Sequence, residues 1–183
     1  MKKYLDLQEI HKKDKAQVGG KGYALSRLAA AGSLVPKTLC ISAEAYREFV
    51  STTPLQGMLA LELSRKNFED MRWEEIWDLS LRIRNHFSRT KMTPELLQAI
   101  RPELQRCFGS EAVAVRSSSL QEDSASHSFA GLHESYLNIA GAGNILEYVK
   151  KVWASLWSDA AMLYRKELDL DISSSAMAVV VQE

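Results

Sequence analysis

Cysteine is scarce in this 183-residue chain, and charge of either sign is not in excess. Only Cys40 and Cys107 are present, a pair that forms neither metal-ligand spacing nor a disulfide framework. The 23 Lys+Arg balance 23 Asp+Glu, so there is no overall basic footprint for a nucleic acid or an anionic membrane. No apolar run approaches the roughly 18–20 residues of a membrane helix. Residues 1–17 are polar and charged and lack the apolar centre of a secretory signal. A reducing cytoplasm is the expected setting. The four histidines, His11, His86, His127 and His133, are scattered, so a zinc site is not expected. Low-complexity tracts and internal repeats are missing as well.

The residues that are present order themselves into an α+β pattern. Residues 3–8 alternate like a half-buried strand, and Leu25, Leu28 and Ala29 keep helical spacing up to Gly32. Val35-Pro36 to Ile41 reads as a strand. Ser42 is placed to cap a helix that buries Ala45, Tyr46, Phe49 and Val50. A helical, charge-rich middle covers about 55–107. Thr93-Pro94 marks a helix start within it, and the Trp73, Trp77, Trp153 and Trp157 pairs are expected in the core. Ala112-Val113-Ala114-Val115 is a core strand. A polar loop from Ser117 to Gly131, with six serines and no proline, follows it. A strand at 134–139, a helix begun by an Asn144-x-x-Glu147 capping box, a helix at about 159–168 and a strand at 177–182 complete the order. That apolar last strand has no turn after it, so the chain is expected to be part of something longer.

Three features can carry chemistry. Gly19-Gly20-Lys21-Gly22 at a helix start combines approachable backbone amides, the positive helix end and a cation, which suits an anion. It is not a Walker A loop, because Tyr23 stands where Ser or Thr is needed. A glycine-rich turn with a solvated lysine would look the same. Arg116, followed by Ser117-Ser118-Ser119, can clamp a phosphate bidentately or bond loop carbonyls. The loop Glu122-Asp123-Ser124-Ala125-Ser126-His127-Ser128-Phe129-Ala130-Gly131 is long for an idle connection and could wrap a polyphosphate. Glu122 and Asp123 could meet magnesium or pair with a lysine.

Taken together, the segments resemble one family. They are Val18-Gly19-Gly20-Lys21-Gly22-x-x-Leu25, Val35-Pro36, Ser42-Ala43-Glu44-Ala45-Tyr46-x-x-Phe49, Val115-Arg116-Ser117-Ser118, Glu122-Asp123, Ser128-Phe129-Ala130-Gly131, Glu134-x-Tyr136-Leu137 and Val179-Val180-Val181-Gln182. Their order is that of the N-terminal nucleotide-binding region of the phosphoenolpyruvate synthase and pyruvate phosphate dikinase family, which includes the rifampin phosphotransferases. Where that family usually carries Gly-Phe after Val-Pro, this chain has Lys37-Thr38-Leu39.

The resemblance implies the N-terminal part of an ATP-grasp fold, with a mixed sheet and the helical middle, and residues 1–183 as its first lobe. It implies ATP and Mg2+ as ligands, with Lys21, Arg116, Gly131, Ser135 and Gln182 at the nucleotide. Ser117, Ser118, Ser128, Phe129 and Ala130 would belong to the phosphate flap. No catalytic residue and no metal ligand is expected within the chain. The magnesium ligands, the second lobe and a swivelling phosphohistidine domain would lie beyond residue 183. The implied activity is phosphorylation of that histidine by ATP and transfer to pyruvate, a similar acceptor or a rifampin-like antibiotic, with no turnover by these residues alone. The alternative is a stand-alone, non-catalytic module that binds nucleotide or a partner.

Overall fold

The computed structural model describes residues 2–120, 132, 134–172 and 175–183. Strands β1 (Tyr4–Asp6), β2 (Thr38–Ile41), β3 (Ala112–Ser119), β4 (Ser135–Ala140) and β5 (Met177–Gln182) form one sheet in the order β1-β2-β5-β3-β4. The expected α+β character holds. The expected mixed sheet does not, since every pairing is antiparallel. The reason is topological. No helix here serves as a crossover between parallel neighbours, and the last strand enters between β2 and β3, running against both.

Successive side chains of a strand point to opposite faces, and the two faces have different partners. Leu39, Ile41, Val113, Val115, Val179 and Val181 point into the main core. That core is closed by α2 (Ala43–Ser51), α3 (Leu55–Ser64), α4 (Trp73–Arg89), α5 (Pro94–Phe108), α6 (Ala142–Ser155) and α7 (Asp159–Glu167). Cys40 and Val180 point the other way and pack with Leu5, Ile10 and Val18 beneath α1 (Lys15–Ala30). At the centre of the main core, Trp153 stacks on Phe49 at 5.4 Å and meets Tyr46 edge-on at 5.8 Å. The indole of Trp157 donates to the Tyr46 hydroxyl at 3.1 Å, satisfying both buried groups.

Local chemistry explains several boundaries. Ser42 accepts from the Ala45 amide at 3.3 Å and Thr93 from that of Leu96 at 3.3 Å, both as N-caps. The last strand runs from 177 to 182 as expected. Three expectations are corrected and one is refined. Ser117, Ser118 and Ser119 continue β3 and do not open a loop, because all three pair with β5. Helix α6 begins at Ala142 after Gly141 at φ 83, before the expected Asn144-x-x-Glu147 box, and the Asn144 amide donates to the Ala140 carbonyl instead. Helix α1 has a first turn from Lys15, ahead of the glycine cluster, and the expected helix start at the cluster is where it resumes after the non-helical Gly19. Trp73 and Trp77 are 58% and 51% exposed, whereas Trp153 and Trp157 are buried. The core stripe of α4 is Ile76, Leu79, Ile83 and Phe87, and the two tryptophans flank it on the solvent side.

Strands β3 and β4 carry an irregularity that the alternating sequence conceals. Val113 pairs with Ile139 and Val115 with Tyr136, so β4 holds one extra residue. Asn138, at φ 59, takes up the bulge. An unbulged ladder would set Leu137 opposite Val115 and Tyr136 opposite Arg116. The bulge turns Tyr136 toward the core, where its ring meets Tyr148 at 4.9 Å, and sets Ser135 opposite Arg116.

Candidate functional site

The face of the sheet beneath α1 carries Arg116, Ser118, Ser135 and Gln182. Arg116 is exposed near the middle of β3, two residues before Ser118, whose hydroxyl bonds to α1. Residues two apart on a strand share a face, so Arg116 lies on the α1 side. Across one ladder it faces Ser135 and across the other Val180. Gln182, opposite Ala114, is then a diagonal neighbour of Arg116, on the order of 7–8 Å away between Cα atoms. Lys21 belongs to α1, which packs over β3 and β5 on this side of the sheet.

The glycine cluster performs a second task besides the one its composition indicates. Gly19 has φ 72 and ψ −179 inside α1, in the region that favours glycine. A Cβ there would lie 2.4 Å from the Ser118 carbonyl oxygen and 2.5 Å from its hydroxyl. At Gly22 a Cβ would meet the Cys40 sulfur and the Val18 Cβ, each at 3.1 Å. These glycines bring the lysine-bearing turn into backbone contact with the sheet. The Cys40 thiol beneath them is pushed up to about 12 by burial, with Asp6 adding to the effect. It stays neutral and acts as a packing group.

Gln182 is held from the opposite side. Its Nε2 donates to Thr38 Oγ1 at 2.9 Å, and that hydroxyl donates to the Pro36 carbonyl at 2.8 Å. Thr38 stands opposite Gln182 on β2. In the sequence Thr38 stands out only as part of the departure at Lys37-Thr38-Leu39. A hydroxyl on a strand beside Val-Pro carries no signal until the register is known.

Behind β4, on the core side, Glu134 accepts from Arg84 Nη2 at 2.9 Å and from the Tyr136 hydroxyl. Burial, then the Glu134 carboxylate, raises the Tyr136 phenol well above its ordinary value. This cluster anchors the start of β4. A second carboxylate, Glu62, is buried among Arg82 at 2.7 Å, Arg65 at 3.0 Å and His86 at 3.9 Å, within the helical layer and away from the face described.

Gly131 and the flap residues Ser128, Phe129 and Ala130, like Glu122, Asp123, His127 and His133, lie outside the described residues. Ser117 and Ser118 do not join a loop. They are buried in β3. Among the described residues no group of three His, Cys, Asp or Glu could hold a metal ion. No described helix is long and apolar enough to cross a membrane.

The chain belongs to the pyruvate phosphate dikinase AMP/ATP-binding domain family, whose model matches residues 15–183. It is similar to rifampicin phosphotransferase of Streptomyces sviceus, at 39% identity over 180 residues, or 98% of this chain and 20% of that protein. Phosphoenolpyruvate synthase of Aeropyrum pernix is 41% identical over 182 residues, covering 97% of this chain and 22% of that protein. A probable phosphoenolpyruvate synthase of Methanocaldococcus jannaschii is 35% identical over 182 residues, 97% of this chain and 15% of its own length. The chain thus spans about a fifth of the length of the curated relatives it matches.

Proposed function

We propose that residues 1–183 are the N-terminal lobe of an ATP-grasp nucleotide site in an ATP-dependent phosphotransferase. One observation carries this reading: the strand register sets Arg116, Ser135 and Gln182 on one sheet face beside the Lys21 turn. Lys21 and Arg116 would hold the phosphates as preorganised cations, the largest lever a protein has in phosphoryl transfer. Ser135 would supply a hydroxyl beside Arg116, and Gln182, oriented by Thr38, an amide toward the base. Gly131, with Ser128, Phe129 and Ala130, would cover the phosphates. Mg2+, when bound, neutralises charge on the transferring phosphate. Its ligands would come from residues outside this chain.

In this reading a second lobe closes over the same face, and Leu137 offers it apolar contact. Leu137 is 70% exposed, two residues beyond Ser135 on the same side of the strand. A histidine on a separate swivelling domain takes the phosphate and passes it to pyruvate or a similar acceptor, a rifampin-like antibiotic being the other candidate. Relatives named for either acceptor match this lobe about equally, at 39% and 41% identity. That even likeness supports a reading in which the lobe serves the donor half of the reaction and acceptor choice resides elsewhere. Labelling of the complete protein with [γ-32P]ATP and with [β-32P]ATP tests the scheme. In a dikinase-type reaction the histidine would attack the β-phosphorus with AMP leaving, the γ-phosphate would pass to water and the β-phosphate would stay on histidine, and Lys21→Ala or Arg116→Ala is expected to slow that labelling by roughly a hundredfold or more. Undiminished labelling in both variants would remove these residues from the mechanism.

A further inference from the structure

The ladder of α1 is interrupted at one point. In an unbroken helix the Gly22 amide would donate to the Val18 carbonyl, four residues back. Gly19 leaves helical geometry, and the Ser118 hydroxyl stands between the two groups. It donates to the Val18 carbonyl at 2.6 Å and accepts from the Gly22 amide at 3.1 Å. The helix thus restarts at Gly20, and its third amide is capped by a serine from the sheet nearly a hundred residues away. Gly19, at the N-cap position, has no side chain with which to do this. Ser118 is fully buried, so it does not touch a ligand. Few groups of its size both donate and accept, and the 2.5 Å approach of a Gly19 Cβ to the hydroxyl shows how closely the turn is applied to it.

We propose that Ser118 is the positioning residue of the site. Its hydroxyl fixes the Gly20-Lys21-Gly22 turn against the strand that carries Arg116, so that the two cations meet one polyphosphate. The proposal rests on the reading that Lys21 binds ATP phosphate. The covalent spacing supports it. Arg116 and Ser118 are two residues apart on one face of β3, while Lys21 adjoins the amide that Ser118 holds. The two cations come from segments about a hundred residues apart in sequence.

A double-mutant cycle in the complete protein tests the proposal, with ATP affinity as readout and thermal unfolding alongside. Ser118→Ala leaves a buried amide and carbonyl without their bridge and is expected to weaken ATP binding about tenfold. Because Ser118 acts through Lys21, Ser118→Ala adds to Lys21→Ala less than about twofold. A purely structural serine would lower affinity independently, and the two losses would multiply. That result, or affinity within twofold of wild type in Ser118→Ala, overturns the proposal. Where Ser118→Ala does not fold, Ser118→Cys keeps the volume, bonds weakly and runs the same cycle. Failure of both to fold makes the serine a scaffold residue and also overturns the proposal. Wild-type affinity in Lys21→Ala overturns the phosphate assignment beneath it, a separate and distinguishable outcome.

Discussion

Single residues decide whether the glycine turn and the tethered glutamine exist. Gly19 combines a left-handed φ with a 2.4 Å approach to the Ser118 carbonyl, and neither tolerates a side chain. Gly19→Ala is expected to cost about 2–4 kcal/mol in urea unfolding, from backbone strain plus overpacking. Gly32, also at positive φ but with nothing near its Cβ position, should lose only the backbone part when changed to Ala. Thr38→Val keeps the shape and removes the hydroxyl that accepts from Gln182 and donates to Pro36. Its expected cost is about 1 kcal/mol in stability, with a measurable loss of ATP affinity as Gln182 gains freedom. The sequence shows the first case more readily than the second. A Gly-Gly-Lys-Gly cluster announces a special turn, although its main steric partner, Ser118, is invisible in a linear reading. Thr38 announces nothing, because its role depends on lying opposite Gln182 in another strand.

At the level of elements, helices and strands with strong local signals were legible, and register was not. Ser42 and Thr93 cap their helices where side-chain chemistry requires it, and the Met177–Gln182 strand stands where its apolar run lies. The serines at 117–119 read as loop because serine favours turns, yet pairing with β5 overrides that preference. The Asn138 bulge is the most consequential element-level feature. Without it the ladder would set Tyr136 opposite Arg116, since one residue of slip exchanges the faces of a strand. Asn138→Val places a β-branched side chain at φ 59 and is expected to destabilise the protein by about 1–2 kcal/mol. Asn138→Gly, which accepts that conformation, should stay within about 0.5 kcal/mol of wild type. Urea unfolding of the two variants side by side checks the assignment. Equal stability of the two would mean that the bulge is not strained.

The described residues form an antiparallel sheet with a thick helical layer on one face and α1 on the other. The charge balance noted at the outset, 23 against 23, describes the surface as a whole and does not describe this face. In the proposed site Lys21 and Arg116 meet through the break in α1 and the Ser118 bridge to β3, which no composition reveals. The chain belongs to the pyruvate phosphate dikinase AMP/ATP-binding domain family. The central claim is that these two cations bind phosphate. Calorimetric titration of the complete protein with ATP and with adenosine tests it most directly, in wild type, Lys21→Ala and Arg116→Ala. The account predicts that each variant loses at least about tenfold in ATP affinity, the worth of a charge-assisted contact, and keeps wild-type affinity for adenosine. Equal losses for ATP and adenosine, or no loss for ATP, would contradict it.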